Sequence, residues 1–205
     1  MNYPSKILEQ AVNAIASLPG IGRKTALRLA LHLIQDQNHK SEILVDALIQ
    51  LNTKIKQCKR CNLVADNDLC DICASSSRHK RVICVVENLR DLLAIEDTQQ
   101  YNGLYHILGG VISPINGIGP ENLYIESLIQ RVKTEGVEEL IMAVSPTIDG
   151  ETTIFYISKL LADSNVKIST IARGVSFGGE LEYADEFTLG RSILSRTPYH
   201  QNGSN

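Results

Sequence analysis

Four cysteines, Cys58, Cys61, Cys70 and Cys73, constrain this chain more than any other feature. They form two Cys-x2-Cys turns separated by eight residues. Each turn lets two thiolates converge on one cation, and two turns complete a tetrahedron. Such a Zn²⁺ site is closed, with no position left for substrate, so the metal it predicts is structural. The polar spacer, Asn62 to Leu69, suits a knuckle-like loop with little structure of its own. The site also lies between two stretches of opposite charge, which predicts a rigid joint between them.

Two disulfides are the alternative, and they need an oxidising compartment. The opening residues, MNYPSKILEQ, carry neither the apolar run nor the cleavage pattern of a secretory signal. No stretch reaches the about 18 apolar residues that span a bilayer. A cytoplasmic location without a membrane partner is therefore expected. Cys84, inside the apolar run Val-Ile-Cys-Val-Val, reads as a buried core thiol.

A chain of 205 residues, 43% hydrophobic, is long enough for one or two domains with a sizeable core. Only 5% of residues are aromatic and none is Trp, which argues against a stacking platform for single-stranded bases. The net charge of −3 hides a division. Residues 1–82 hold 12 Lys/Arg against 7 Asp/Glu, whereas residues 83–205 hold 8 against 16. The first part suits a polyanion and the second does not. Ordinary variation in surface charge is the other reading.

Apolar residues at helical spacing predict helices around Ile7–Ile15, Ala26–Ile34 and Ile43–Leu51. After Arg81 the character changes. Short β-branched runs at 81–87, 104–108, 139–144 and 166–171 alternate with helical patterns at 88–97, 120–133 and 151–163. That alternation predicts a mostly parallel sheet covered on both faces. The tail, from about His200 to Asn205, reads as disordered.

Leu18-Pro-Gly-Ile-Gly-Arg-Lys24 joins the first two helices. Gly20 and Gly22 allow unusual backbone angles and leave room for an extended ligand. The second helix would begin near Arg23, presenting free N–H groups and the positive end of its dipole, with Arg23 and Lys24 beside them. This set predicts a grip on phosphates that reads no bases; a plain turn with two surface cations is the alternative. Lys54, Lys56, Lys59 and Arg60, with Arg78, Lys80 and Arg81, either extend that track or form a solvated face.

Glu87 ends one predicted strand, and Asp149-Gly150-Glu151 follows another. Ligands of parallel sheets gather beyond the carboxyl ends of strands. Three carboxylates on one rim would suit Mg²⁺. Equally, Glu87 and Glu151 open helices, where acids favour the dipole. His106 and Gly109-Gly110 lie at another strand end, where the glycines suit a tight turn against a partner.

Together these residues resemble the bacterial RecR family of recombination mediators, from about Pro4 to Arg196. The resemblance implies an α+β chain in four parts: a helix-hairpin-helix region (1–53), a four-cysteine zinc region (54–79), a Toprim-type α/β domain with a mostly parallel sheet (80–176), and a C-terminal Walker-B-like segment with a final helix and tail (177–205). The closing similarity begins at Gly174. It implies a DNA repair and recombination protein that is not an enzyme, acting with RecO and RecF to load RecA at single-stranded gaps. It further implies a homotetrameric ring around DNA, with Gly20, Gly22, Arg23 and Lys24 facing the DNA and Glu87, Asp149 and Glu151 facing partner proteins. Toprim enzymes pair a glutamate with Asp-x-Asp, where this chain has Asp149-Gly150-Glu151. A Mg²⁺-dependent Toprim nuclease or primase-like enzyme is the competing reading; a zinc-stabilised interaction module is a third.

Overall fold

The computed structural model describes residues 3–35, 39–176 and 178–198. The expected disordered tail lies outside them. The chain divides into two compact units, residues 1–56 and 57–205.

The first unit is helical. Helix α1 (Lys6–Ala16) is capped by Ser5, whose hydroxyl oxygen accepts from the Leu8 N–H. Helix α2 (Arg23–Ile34) packs against it around Val12, Ala26 and Ala30, all buried. Two alanines on the α2 face leave room for close approach, and Leu8, Ile15, Ile21 and Leu27 close the rim of this small core. Helix α3 (Lys40–Thr53) buries none of its residues: Ile43, Leu44, Val45, Leu48, Ile49 and Leu51 are all exposed.

Lys56, the last residue of the first unit, opens a two-stranded ribbon, β1 (Lys56–Gln57) and β2 (Val64–Ala65), which a single helical turn, α4 (Asp71–Ala74), follows in the second unit. Four parallel strands follow in the order β4-β3-β5-β6, comprising β3 (His79–Val86), β4 (Gly103–Ile107), β5 (Glu139–Ala143) and β6 (Lys167–Thr170). The links carry α5 (Leu89–Asp97), α6 (Ile125–Thr134) and α7 (Ile148–Leu160), and α8 (Glu186–Leu194) comes last. Two helices start away from their expected positions. Pro120–Asn122 is a separate 3-10 turn after which Leu123 is extended, so α6 begins only at Ile125. In contrast, Thr147 caps α7 by accepting from the Gly150 N–H, so that helix begins three residues before Glu151.

Successive strand residues point to opposite faces, and β3 shows what each face buries. Ile83 and Val85 pack with Leu128 and Val132 of α6, Ile157 of α7 and Leu161 at its C-cap. Cys84 and Val86 face the other way, among Leu92 of α5, Tyr105, Ile107 and all four cysteines of the Cys-x2-Cys turns. The four-cysteine segment is thus a layer laid on the sheet within the second unit. Among the described residues, no helix is long and apolar enough to cross a membrane.

Candidate functional site

The four cysteine sulfurs converge. All lie within 4.8 Å of one another, and their residues are at most 5% exposed. Zn–S bonds of about 2.3 Å would set tetrahedral sulfurs roughly 3.8 Å apart, so the cluster needs little adjustment. Backbone geometry favours thiolates there. The Cys70 N–H points at the Cys58 sulfur and the Cys73 N–H at the Cys70 sulfur, each at 3.4 Å. Hydrogen bonds from Cys61 and Cys73 pull the Cys70 thiol down, while the same sharing pushes the Cys61 thiol up. Four converging buried sulfurs without oxygen ligands fit structural Zn²⁺, whose charge would hold all four as thiolates. Cys84 is separate: burial pushes its thiol up to about 12, which makes it an unreactive core residue.

The zinc layer is fastened to the sheet by polar contacts that the sequence pattern did not reveal. The Ile107 N–H donates to the Cys61 carbonyl at 2.9 Å. Arg60 makes a forked contact with Glu135, at 2.8 Å from Nη2 and 3.0 Å from Nε. Glu135 also meets Arg131, four residues earlier on α6. Burial pushes the Glu135 carboxyl up, but Arg60 and Arg131 outweigh it and hold the carboxyl below its usual range. Arg131, itself buried, donates through Nη1 to the Tyr105 carbonyl and to Nδ1 of His106. His106 is wholly buried and donates from Nε2 to the Tyr124 carbonyl at 2.8 Å. It is a structural imidazole inside the sheet, so only the glycines after it, Gly109 and Gly110, both with positive φ, form the expected turn.

Gly20 sits in the left-handed region at φ +78°, and a Cβ added at Gly20 or Gly22 would meet nothing within 4 Å. Gly22 stands at the start of α2 and supplies no side-chain cap; the first turn of that helix carries no acid. Arg23 and Lys24 are exposed beside it. The hairpin therefore presents uncapped N–H groups, open space and two cations together. The basic residues flanking the cysteines behave differently. Arg60 is committed to Glu135 and Arg78 to Glu96, both largely shielded from solvent. Lys59–Asp68 and Arg81–Glu138 are exposed pairs that exchange partners at little cost.

At the opposite chemical extreme, β3 and β5 are neighbours, so Glu87 and the start of α7 share the carboxyl edge of the sheet. Their carboxylates are already engaged there. Glu87 accepts from the Ser145 N–H at 2.7 Å, and Glu151 pairs with Arg173. Asp149 and Glu151 both lie in the first turn of α7, where they favour the helix dipole. Gly150 between them is a packing requirement: a Cβ there would fall on the Ser145 carbonyl oxygen. Among the described residues, only the four cysteines form a cluster of three or more metal-ligating side chains.

A four-cysteine zinc layer on a four-stranded parallel sheet, with a helical hairpin before it, defines a zinc-binding Toprim protein with a helix-hairpin-helix region. Known families match in that order along the chain: RecR, helix-hairpin-helix at residues 8–51; the RecR zinc finger domain of four-cysteine type at 55–75; Toprim domain at 81–172; and RecR, C-terminal at 174–197. "Recombination protein RecR" of Cytophaga hutchinsonii is 57% identical over 198 residues, covering 96% of this chain and 97% of that protein. The RecR proteins of Amoebophilus asiaticus and Flavobacterium johnsoniae are 54% and 52% identical, covering 98% and 100% of this chain and the whole of each relative. The chain belongs to the RecR family.

Proposed function

We propose that this protein is a DNA-binding adaptor of recombination and repair, working in the cytoplasm with RecO and RecF to load RecA onto single-stranded gaps. The relatives' shared name, recombination protein RecR, supports the process. The observation that carries the DNA contact is the start of α2: Gly20 and Gly22 leave the backbone open, and exposed Arg23 and Lys24 flank uncapped N–H groups. Backbone phosphates fit that arrangement. In this reading the four parts 1–53, 54–79, 80–176 and 177–205 divide the work into DNA grip, zinc support, partner docking and assembly.

The carboxyl edge of the sheet, with Glu87, Asp149 and Glu151, docks a basic protein partner, RecO or RecF. Their engagement with a backbone N–H, a helix start and Arg173 supports a docking and positioning role over Mg²⁺ chemistry. The exposed apolar residues of α3, and Leu181, Tyr183, Phe187 and Leu194 of the C-terminal segment, supply the two self-interfaces that a tetrameric ring of dimers needs.

The test of the DNA contact is the double variant Arg23→Ala/Lys24→Ala. Its affinity for a gapped oligonucleotide should fall without a change in sequence preference. The slope of log affinity against log salt should become shallower by about 1 to 2, as lost phosphate contacts predict. Unchanged affinity and slope would remove these two cations from the contact.

A further inference from the structure

We infer that Ile115 is the apolar anchor by which a basic protein partner seats on the acidic edge of the sheet. The inference rests on the docking role proposed above and names a residue for it. Single exposed isoleucines are ordinary on protein surfaces. This one differs in how it is held. Ile115 is 96% exposed in a 3-10 turn, Pro114–Asn116, the most exposed large hydrophobic residue among the described residues. The turn is closed below by paired backbone hydrogen bonds between Ser113 and Ile118, at 2.9 and 3.0 Å. The Asn116 amide donates to the buried Ser113 hydroxyl at 2.8 Å, and Gly117 ends the turn at φ +69°. The Ile112 N–H then ties the loop to the buried Thr153 hydroxyl on α7 at 2.9 Å. These bonds fix the backbone beneath Ile115, and its β-branched side chain has few rotamers to give up, so little freedom is lost on binding, which favours its use as an anchor.

The surroundings choose the partner. Glu87 joins the two loops of this edge: its carbonyl accepts from the Gly109 N–H, where the Ile115 loop starts, and its carboxylate accepts from the Ser145 N–H, which leads into α7. The first turn of α7 carries Ile148, 86% exposed, beside Asp149 and Glu151. Asp91 stands close enough to Glu87 to feel its charge. Arg173 pairs with Glu151, which leaves Glu87, Asp91 and Asp149 to outnumber Arg90 and Arg191, the latter lining the same pocket as Glu151. Exposed isoleucines on two loops that Glu87 ties to one acidic edge match a cationic protein surface with an apolar pocket, while the excess carboxylates disfavour nucleic acid.

The experiment measures binding of the full-length protein to purified RecO across a salt series, and to a gapped oligonucleotide as control. Ile115→Ser should weaken RecO binding about tenfold or more, leave its salt dependence unchanged, and leave DNA affinity and melting temperature as in wild type. Ile115→Leu should restore binding. Asp149→Asn/Glu151→Gln should weaken RecO binding while flattening its salt dependence. If the carboxylate variant weakens binding and Ile115→Ser does not, the docking edge stands and Ile115 is not its anchor. If neither variant changes binding to RecO, nor to purified RecF in the same assay, the docking reading falls along with the anchor. A loss by Ile115→Ser of DNA affinity or of self-association, measured by mass in solution, with RecO affinity unchanged would assign the loop to nucleic acid or to a second copy and overturn the inference.

Discussion

His106 shows how one buried residue makes stability depend on pH. Its Nε2–H serves the Tyr124 carbonyl, and its Nδ1 accepts from Arg131, so the ring is held neutral. Burial, with the Arg131 charge, lowers its pKa from 6.5 to about 4, against opposing pulls from the hydrogen bond to the Tyr124 carbonyl and from Glu135. Between those values the unfolded chain takes up a proton that the folded chain refuses. Stability is therefore full above pH 6.5 and falls as pH drops toward 4, by at most about 3 kcal/mol from this group. Chemical denaturation from pH 7 to 4 should show that limb, and His106→Gln should flatten it; an unchanged limb would place the acid sensitivity elsewhere. The sequence did not disclose this role. It placed His106 at a strand end, but a histidine's neighbours on other elements, here Arg131 and Tyr124, follow no spacing that the chain displays.

At the scale of elements, the zinc layer is where sequence and structure diverge most usefully. The ligand set was legible because two Cys-x2-Cys turns are a local pattern, and Cys58 to Cys73 meet as their spacing requires. Where the layer rests was not legible. Its charge context suggested a joint, yet its sulfurs share a core with Cys84, Val86, Leu92, Tyr105 and Ile107. Zinc removal is therefore expected to loosen the sheet. The amide of Ile107, bonded to the Cys61 carbonyl, should lose protection from hydrogen exchange on chelation, while those of α1 and α2 keep theirs. Loss of a structural zinc removes several kcal/mol, and each kcal/mol moves the melting temperature by about 2–4 °C in a chain of this size. A fall of about 10 °C is expected; protection unchanged at Ile107 would mean that the layer is dispensable to the sheet. The basic flanks teach a related point. Seven cations near the cysteines read alike in sequence, but Arg60 and Arg78 turn inward to carboxylates 75 and 18 residues away, Glu135 and Glu96.

At the scale of the molecule, the division into residues 1–56 and 57–205 predicts separable behaviour. A fragment spanning 57–205 should fold, bind one zinc per chain and melt cooperatively, because the four-stranded sheet and all four cysteines lie inside it. It should lose most DNA affinity, because Gly20, Gly22, Arg23 and Lys24 are gone. Circular dichroism, metal analysis and DNA titration check the three parts; full DNA affinity in the fragment would move the grip out of the hairpin. The overall class was readable because strand and helix periods alternate after Arg81 and because the charge changes sign along the chain. The order β4-β3-β5-β6 was not, since each parallel pairing depends on a crossover whose partner the sequence does not name.

The zinc layer also has a consequence for the order in which the second unit takes shape. Its ligands span only Cys58 to Cys73, and they precede every strand of the four-stranded sheet. The strands pair over far longer stretches, Cys84 with Tyr105 and with Ile141. Short loops close faster and at lower entropic cost than long ones. As the chain leaves the ribosome, the knuckle emerges ahead of β3 and β4 and can bind its metal first, so each strand emerges beside a surface already waiting for it.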